Sequence, residues 1–341
     1  MSTRRLGVVE ALREGIAEEL RRDPTVFLIG EDIGIPGGWG GAFTVTLGLE
    51  KEFADRMVNT PISEAGLVGA ALGASMMGLK PIADVQYSDF LFCAMDQMAN
   101  QVAKMRYMSG GKLTTPFVMR APVGVTGRGA QHAQMMEPYF IPLPGIKIVC
   151  PATAYDAKGL LKAAVRDGNP VLIFEHKLLY GSKGPRTEVG TIDASSDIPD
   201  GDYIVPIGKG IIRREGKDVT IIATLLMMHR AVEAAAVLAK DGISAEVIDP
   251  RSLVPFDWEL VKESVAKTGR VVTVEESPKR GGMGAEIAAT LAEEMIDYLV
   301  APVKRVAAPT TPAPFSPPLE RYYVPDAQRI AQAARDLMAI S

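Results

Sequence analysis

Three stretches of this 341-residue chain combine residue types able to do chemistry with a spacing that would hold them in place. The first is Asn59-Thr-Pro-Ile-Ser-Glu64-Ala-Gly66-Leu-Val-Gly69-Ala-Ala-Leu-Gly73, a carboxylate at the head of a helical pattern that is otherwise small and apolar. Ser63 can cap such a helix and Glu64 can complement its dipole, a local contribution of about 0.3–1 kcal/mol that would explain both residues without any function. The glycines at 66, 69 and 73, with Gly78 beyond, fall on or near one face, where a ligand or a second backbone could approach closely. A carboxylate beside such a tight apolar contact is a candidate acid or base.

The second stretch, Asp84-Val-Gln86-Tyr87-Ser-Asp89-Phe90, turns from a strand end into a helix. Open α/β sheets place their ligands at that point, although an isolated phenylalanine such as Phe90 is an ordinary core residue. The third stretch follows an apolar strand with the glycine-rich loop Gly124-Val-Thr-Gly127-Arg-Gly129-Ala-Gln-His132. A lone loop histidine can be structural, but flexible loops at strand ends are where functional histidines collect.

Other chemistries are poorly served. Gly127-Arg-Gly129-Ala-Gln-His132 lacks the last glycine of a dinucleotide loop, and no acidic residue completes the fingerprint after a helix. Gly110-Gly-Lys112 lacks the upstream glycine and the hydroxyl of a phosphate loop. The three histidines, His132, His176 and His229, are far apart, Cys93 and Cys150 form no Cys-x-x-Cys pair, and Gly-x-Ser-x-Gly is absent. No zinc site and no hydrolase elbow are expected.

The elements that must position these stretches alternate in type. β-rich runs at Val26–Ile29, Pro81–Gln86, Phe117–Arg120, Ile146–Cys150 and Val171–Glu175 are separated by helical patterns around Val9–Leu20, Ser63–Met77, Asp89–Met108 and Thr153–Arg166. The pattern predicts an α/β fold with a parallel sheet. From Lys183 to Gly201 it lapses into Gly, Pro, Ser, Thr and Asp, the composition of a linker. A second, smaller α/β domain follows, with strands at Val219–Ala223, Ala245–Ile248, Val271–Val274 and Val303–Val306. Its helices are expected at His229–Lys240, Trp258–Thr268, Ala285–Leu299 and Asp326–Met338. Pro309–Pro318 suits neither a central strand nor a helix. The expected division is a first domain over 1–182, a linker over 183–203 and a second domain over 204–341.

The chain carries 37 Lys and Arg against 41 Asp and Glu, a net charge of −4, so it has no basic field for nucleic acid. No stretch reaches the roughly 20 apolar residues of a membrane span, and none reads as a signal peptide. Two cysteines, each inside an apolar run, read as small hydrophobes of a reducing compartment, so the expected location is cytoplasmic.

Taken together, Asn59–Gly73, Met95-Asp96-Gln97 with Met108-Ser-Gly-Gly, Gln131-His132-Ala-Gln134, Arg166-Asp-Gly-Asn-Pro170 and Glu175-His-Lys-Leu-Leu-Tyr180-Gly resemble a known family. It is the β subunit of the thiamine-diphosphate-dependent decarboxylase component of 2-oxo acid dehydrogenase complexes. The resemblance spans nearly the whole chain. In the second half, Asp249-Pro-Arg-Ser-Leu253, Gly284-Ala-Glu-Ile-Ala-Ala-Thr290 and Ala301-Pro-Val-Lys-Arg-Val306 are similar to the family's transketolase-like carboxyl-terminal domain.

The resemblance implies a pyrimidine-binding fold followed by that domain, and it implies roles. Glu64 matches the carboxylate that hydrogen-bonds the cofactor's pyrimidine ring and favours its imino tautomer, which then deprotonates the thiazolium carbon. Its protonated form must be accessible near neutral pH, which a water-poor site favours. Phe90 matches the aromatic stacked on the aminopyrimidine, and Gln86 lines the same pocket. His132 matches the histidine that faces the thiazolium and assists acyl transfer to a lipoyl arm. Ala164, Asp167 and Asn169 resemble a structural potassium loop built largely from carbonyls.

The Gly-Asp-Gly that holds magnesium and the diphosphate in thiamine enzymes is missing, Gly201-Asp-Tyr being the nearest piece. The resemblance therefore implies an α subunit that supplies Mg2+ and the diphosphate site, in an α2β2 heterotetramer that docks a lipoyl acyltransferase core. The Gly/Ala/Met-rich helices at 63–78 and 89–108 are expected to be buried in that assembly. Pyruvate or acetoin is the expected substrate, a branched-chain 2-oxo acid the alternative. Two other readings compete: a non-catalytic assembly subunit, and a self-contained transketolase-type enzyme.

Overall fold

The computed structural model describes residues 3–181 and 190–340. The chain forms two compact units, Met1–Val123 with Pro142–Ile207, and Gly124–Ile141 with Gly208–Ser341.

The first unit is built on parallel strands β2 (Val26–Gly30), β3 (Met57–Asn59), β4 (Lys80–Asp84), β5 (Val118–Val123), β6 (Lys147–Val149) and β7 (Val171–His176). They lie in the order β6-β7-β5-β4-β2-β3. β5 and β7 are buried at every position, which is why they read as continuous apolar runs rather than as alternating ones. The helices Val8–Arg22 and Ala154–Asp167 are joined by ion pairs: buried Lys158 reaches Glu14 at 2.6 Å and Glu18 at 2.7 Å, and Arg166 reaches Glu19 at 2.5 Å.

Two expectations for this unit need correction. The periodicity over 89–108 is not one helix: it breaks into a 3-10 turn at Ser88–Ala94, a π-helical stretch at Gln97–Val102 and a short α-helix at Met105–Met108. Apolar spacing cannot distinguish these windings, and π segments are frequent at functional sites. Cys93, on the first of these turns, is exposed and only Cys150 is buried, so the small-hydrophobe reading holds for Cys150 alone. Gly145 has φ +101° and lies so close to the backbone carbonyl of Ala103 that no side chain fits between them.

Of the expected linker, 183–189 lies outside the described residues. The remainder carries β8 (Ser196–Pro199), paired antiparallel with β1 (Thr3–Leu6).

The second unit has strands β9 (Ile211–Arg214), β10 (Val219–Ala223), β11 (Ala245–Asp249), β13 (Val271–Pro278) and β14 (Lys304–Ala308), with β12 at Ser252–Val254. The five-stranded sheet runs β14-β13-β10-β11-β9 and is parallel except for β9, which pairs antiparallel with β11. Ile222, Ile248, Val261, Val265, Ile287 and Leu291 form its core with the helices Trp258–Thr268 and Met283–Glu294. The expected helix over 285–299 ends at Glu294, and a 3-10 turn at Ile296–Tyr298 follows. Pro317 and Pro318 start the helix Pro317–Tyr323, where a missing N–H costs nothing.

Candidate active site

In the first unit, chemistry-bearing side chains gather where the parallel strands end. Glu64 is the first residue of the helix Glu64–Met76, whose Ser63 cap accepts from the Gly66 N–H at 3.3 Å. Leu67, Val68, Ala71 and Leu72 bury one side of the helix, while Gly66, Gly69, Ala70, Gly73 and Met77 face outward. Gly69 and Gly73 are thus exposed within a helix, where glycine is costly unless something must come close. Glu64 itself is half-buried.

Glu31, the residue after β2, was not singled out by sequence reading. Burial pushes its carboxyl up, and the charges of Glu64, Asp32 and Asp84 push it further. This places Glu31, Glu64 and Asp84 in one electrostatic neighbourhood. The nearby Thr60 hydroxyl oxygen is buried and has no hydrogen-bond partner among the described residues. The only signal for Glu31 in the sequence was its place just past a strand.

Asp84 also belongs to a buried ionic network. Arg120 donates through Nε to Glu175 Oε1 at 2.9 Å, through Nη2 to Glu175 Oε2 at 2.6 Å, and through Nη1 to Asp84. Tyr180 donates its hydroxyl to Glu175 Oε2 at 2.5 Å. Burial still wins at Asp84: despite the arginine its carboxyl is raised to about 6, with Glu175 adding to the shift. An aromatic chain joins the network through Tyr180, with ring centroids 5.2 Å apart for Phe43 and Tyr180, 5.4 Å for Phe43 and Tyr87, and 5.6 Å for Tyr87 and Phe90. Lys177 Nζ stands 5.1 Å from the Tyr87 ring. Gln86 and Phe90 are both half-buried, so each presents part of its surface outward from this packed base.

The structure thus brings Glu64, Gln86 and Phe90 into one unit at the carboxyl ends of its strands. His132 lies in the other unit, on the segment 124–141. That segment is held by acidic side chains of the second unit: Val125 N–H donates to Glu276 Oε1 and Gly127 N–H to Glu320 Oε1, both at 2.7 Å. Nothing in the local pattern of the loop signals this attachment, because its partners lie about 150 and 190 residues away.

At the expected potassium loop, Asp167 accepts from Lys147 Nζ at 2.6 Å and from Asn169 Nδ2 at 2.7 Å, while Asn169 Oδ1 accepts from Arg106 at 2.6 Å. With both side chains so engaged and Ala164 buried, an ion there would depend on backbone carbonyls.

This architecture is that of a two-domain chain of the transketolase type. Residues 5–183 match the family described as transketolase, pyrimidine binding domain, and residues 208–330 match transketolase, C-terminal domain. Among solved structures, a split gene transketolase described as an inactive beta4 tetramer is similar, with a TM-score of 0.78 and 27% identity over 98% of this chain and 99% of that one. The acetoin:2,6-dichlorophenolindophenol oxidoreductase subunit beta of Cupriavidus necator is 47% identical, over 98% of each chain. The 2-oxoisovalerate dehydrogenase subunit beta of Bacillus subtilis is 42% identical over 97% of this chain and 98% of that protein. The mitochondrial pyruvate dehydrogenase E1 component subunit beta-2 of Oryza sativa subsp. japonica is 43% identical over 98% and 86%. The chain belongs to the family of β subunits of the thiamine-diphosphate-dependent component of 2-oxo acid dehydrogenase complexes.

Proposed function

We propose that this chain is the catalytic β subunit of a thiamine-diphosphate-dependent dehydrogenase component that acts on pyruvate or acetoin and passes the acyl group to a lipoyl arm. The observation that carries the reading is the placement of Glu64: a carboxyl at a helix head, beside an exposed glycine face and among acids at the strand ends. The half-exposed Phe90 ring and the unpartnered Thr60 hydroxyl support a fit to an aminopyrimidine, which is flat and carries hydrogen-bonding groups at its edge.

When bound, the cofactor supplies a stabilised carbanion that a protein side chain cannot provide. Glu64 holds a proton at the pyrimidine ring nitrogen. Phe90 orients the ring by stacking, with Tyr87 and Phe43 behind it. Gln86 borders the same pocket. The Arg120 network fixes the floor from which Gln86 and Phe90 rise, and excludes water from beneath them. His132 serves the thiazolium side and the acyl transfer.

The missing Gly-Asp-Gly supports a partner α subunit that carries Mg2+ and the diphosphate, in an α2β2 assembly that docks the acyltransferase core. The outward glycine face of the Glu64–Met76 helix is the surface we assign to subunit contact. A potassium ion held by carbonyls near Ala164, Asp167 and Asn169 is part of the same reading. We place the assembly in the cytoplasm, in keeping with the sparse cysteines; among the described residues no helix is long and apolar enough to cross a membrane.

The relatives named above are subunits of enzymes, which leaves the non-catalytic assembly reading without support. The Bacillus subtilis relative keeps a branched-chain substrate as the second reading. Coexpression with the α subunit, followed by assay of pyruvate, acetoin and 2-oxoisovalerate with thiamine diphosphate and Mg2+, tests the proposal. Turnover of pyruvate or acetoin is expected only when both chains are present. Preference for 2-oxoisovalerate would overturn the substrate assignment, and turnover by this chain alone would overturn the shared site.

A further inference from the structure

The chemistry above leaves the Pro-rich stretch Pro309–Pro318 without a role, yet that stretch stands against the segment that carries His132. Residues 124–136 form neither helix nor strand, so no regular ladder of backbone hydrogen bonds fixes them. Two other pieces of the second unit hold them at separate points. Val125 N–H donates to Glu276 Oε1 on β13, and Gly127 N–H donates to Glu320 Oε1, each at 2.7 Å. Gly129, at φ +75°, lies so close to Phe315 that a Cβ there would stand 3.3 Å from its Cδ2. Ala133, the neighbour of His132, is 1% exposed and packs in one cluster with Val125, Ala308, Ala313 and Tyr323.

Apart from Glu276, every partner outside the segment belongs to 308–323, and that piece has little freedom of its own. Pro309, Pro312, Pro314, Pro317 and Pro318 each fix a backbone φ. The last two open the helix Pro317–Tyr323, in which Glu320 N–H donates to Ser316 O and Val324 N–H to Glu320 O, both at 2.9 Å. Glu320 therefore reaches the loop from a stiff backbone. A carboxylate that accepts from a backbone N–H makes a short, charge-assisted bond, stronger than one between neutral groups. Its effect is passed on: His132 N–H donates to Gly129 O at 3.3 Å, so a shift of Gly127 and Gly129 moves the backbone of His132 with them.

We propose that Glu320 is a positioning residue for His132: carried by the Pro-rich stretch, it holds the Gly127 amide and so sets where the imidazole stands during acyl transfer. The inference rests on the role given to His132 under the proposed function. It assigns Glu320 no contact with substrate or cofactor. Its leverage is geometric, because displacing a reacting group by about 1 Å can cost on the order of a hundredfold in rate.

A double-mutant cycle on the complex coexpressed with the α subunit tests it, read as the rate of acyl transfer to a lipoyl-bearing domain. His132→Ala is expected to slow transfer at least about tenfold. Glu320→Leu, which removes the acceptor, should slow it about tenfold while His132 is present and less than about twofold in the His132→Ala background, because residues that act through one another are not additive. Glu320→Asp, which withdraws the oxygens by one methylene, is the milder second variant and should show the same dependence on His132 at several-fold. Glu320→Gln keeps an oxygen for the Gly127 N–H and should restore transfer to near the wild-type rate. Amide exchange across 124–133 should quicken in Glu320→Leu and not in Glu320→Gln. Unchanged transfer or unchanged exchange in Glu320→Leu, or equal fold losses with and without His132, would overturn the inference while leaving His132 its role. Unchanged transfer in His132→Ala would overturn that role, and the inference with it.

Discussion

At the scale of single residues, Glu64 and Arg120 illustrate two different uses of charge. Glu64 is half-buried and its removal disturbs little packing, so Glu64→Gln should leave the unfolding transition of the chain unchanged while lowering turnover of the reconstituted complex by at least about a hundredfold. Steady-state assay beside a thermal melt separates the two effects; retained turnover would remove Glu64 from the chemistry. Arg120 is the opposite case, because it answers two buried carboxylates at once. Arg120→Met leaves Glu175 and Asp84 without a counter-charge and should destabilise the chain by about 3–5 kcal/mol in urea titrations. Arg120→Lys keeps the charge but loses the fork, and should fall between the two. The sequence pointed to Glu64, Phe90 and His132 because each sits at an interruption of the strand and helix pattern, and to Gln86 only through the family resemblance. It did not point to Glu31 or to the Asp84–Arg120–Glu175 network, since pairing across three strands depends on their order in the sheet, which local spacing does not encode.

At the scale of elements, the helix Glu64–Met76 carries the clearest contradiction between local stability and design. Its exposed glycines weaken it by roughly 0.5–1 kcal/mol each relative to alanine. A Cβ on Gly73 would meet nothing within 4 Å. Gly73→Leu should therefore raise the melting temperature of the isolated chain slightly, yet block assembly with the α subunit in size-exclusion chromatography with light scattering. Normal assembly of that variant would move the subunit contact elsewhere. The turn between the first long helix and β2 offers a pH test. Asp23 accepts from Thr25 N–H at 2.9 Å, Thr25 Oγ1 at 2.6 Å and Lys80 Nζ at 2.8 Å, which hold its carboxyl well below the usual range. A lowered folded-state pKa contributes stability that is full above the unfolded value and fades as pH falls below it. The stability gap between wild type and Asp23→Asn should accordingly be widest near neutrality and shrink below about pH 4. A gap independent of pH in urea titrations would contradict this. Most strands and long helices were legible from apolar periodicity. The broken 88–108 region was not, because 3-10, α and π windings share nearly the same apolar spacing.

At the scale of the whole chain, the two α/β units were visible in the alternation of strand and helix patterns, but the allegiance of 124–141 to the second unit was not. That segment is held by the carboxylates of Glu276 and Glu320 and by the packing of Val125 and Ala133 against Ala308, Ala313 and Tyr323, all remote in sequence. On the proposed reading this chain offers a carboxyl, an aromatic ring and an imidazole for the organic half of the cofactor, and its sequence has no Gly-Asp-Gly for the phosphate half. Titration calorimetry of thiamine diphosphate with Mg2+ against this chain, its α partner and the coexpressed complex measures that division directly. Tight binding by the complex alone, abolished by omitting either chain, is the predicted result; tight binding by this chain alone would contradict it.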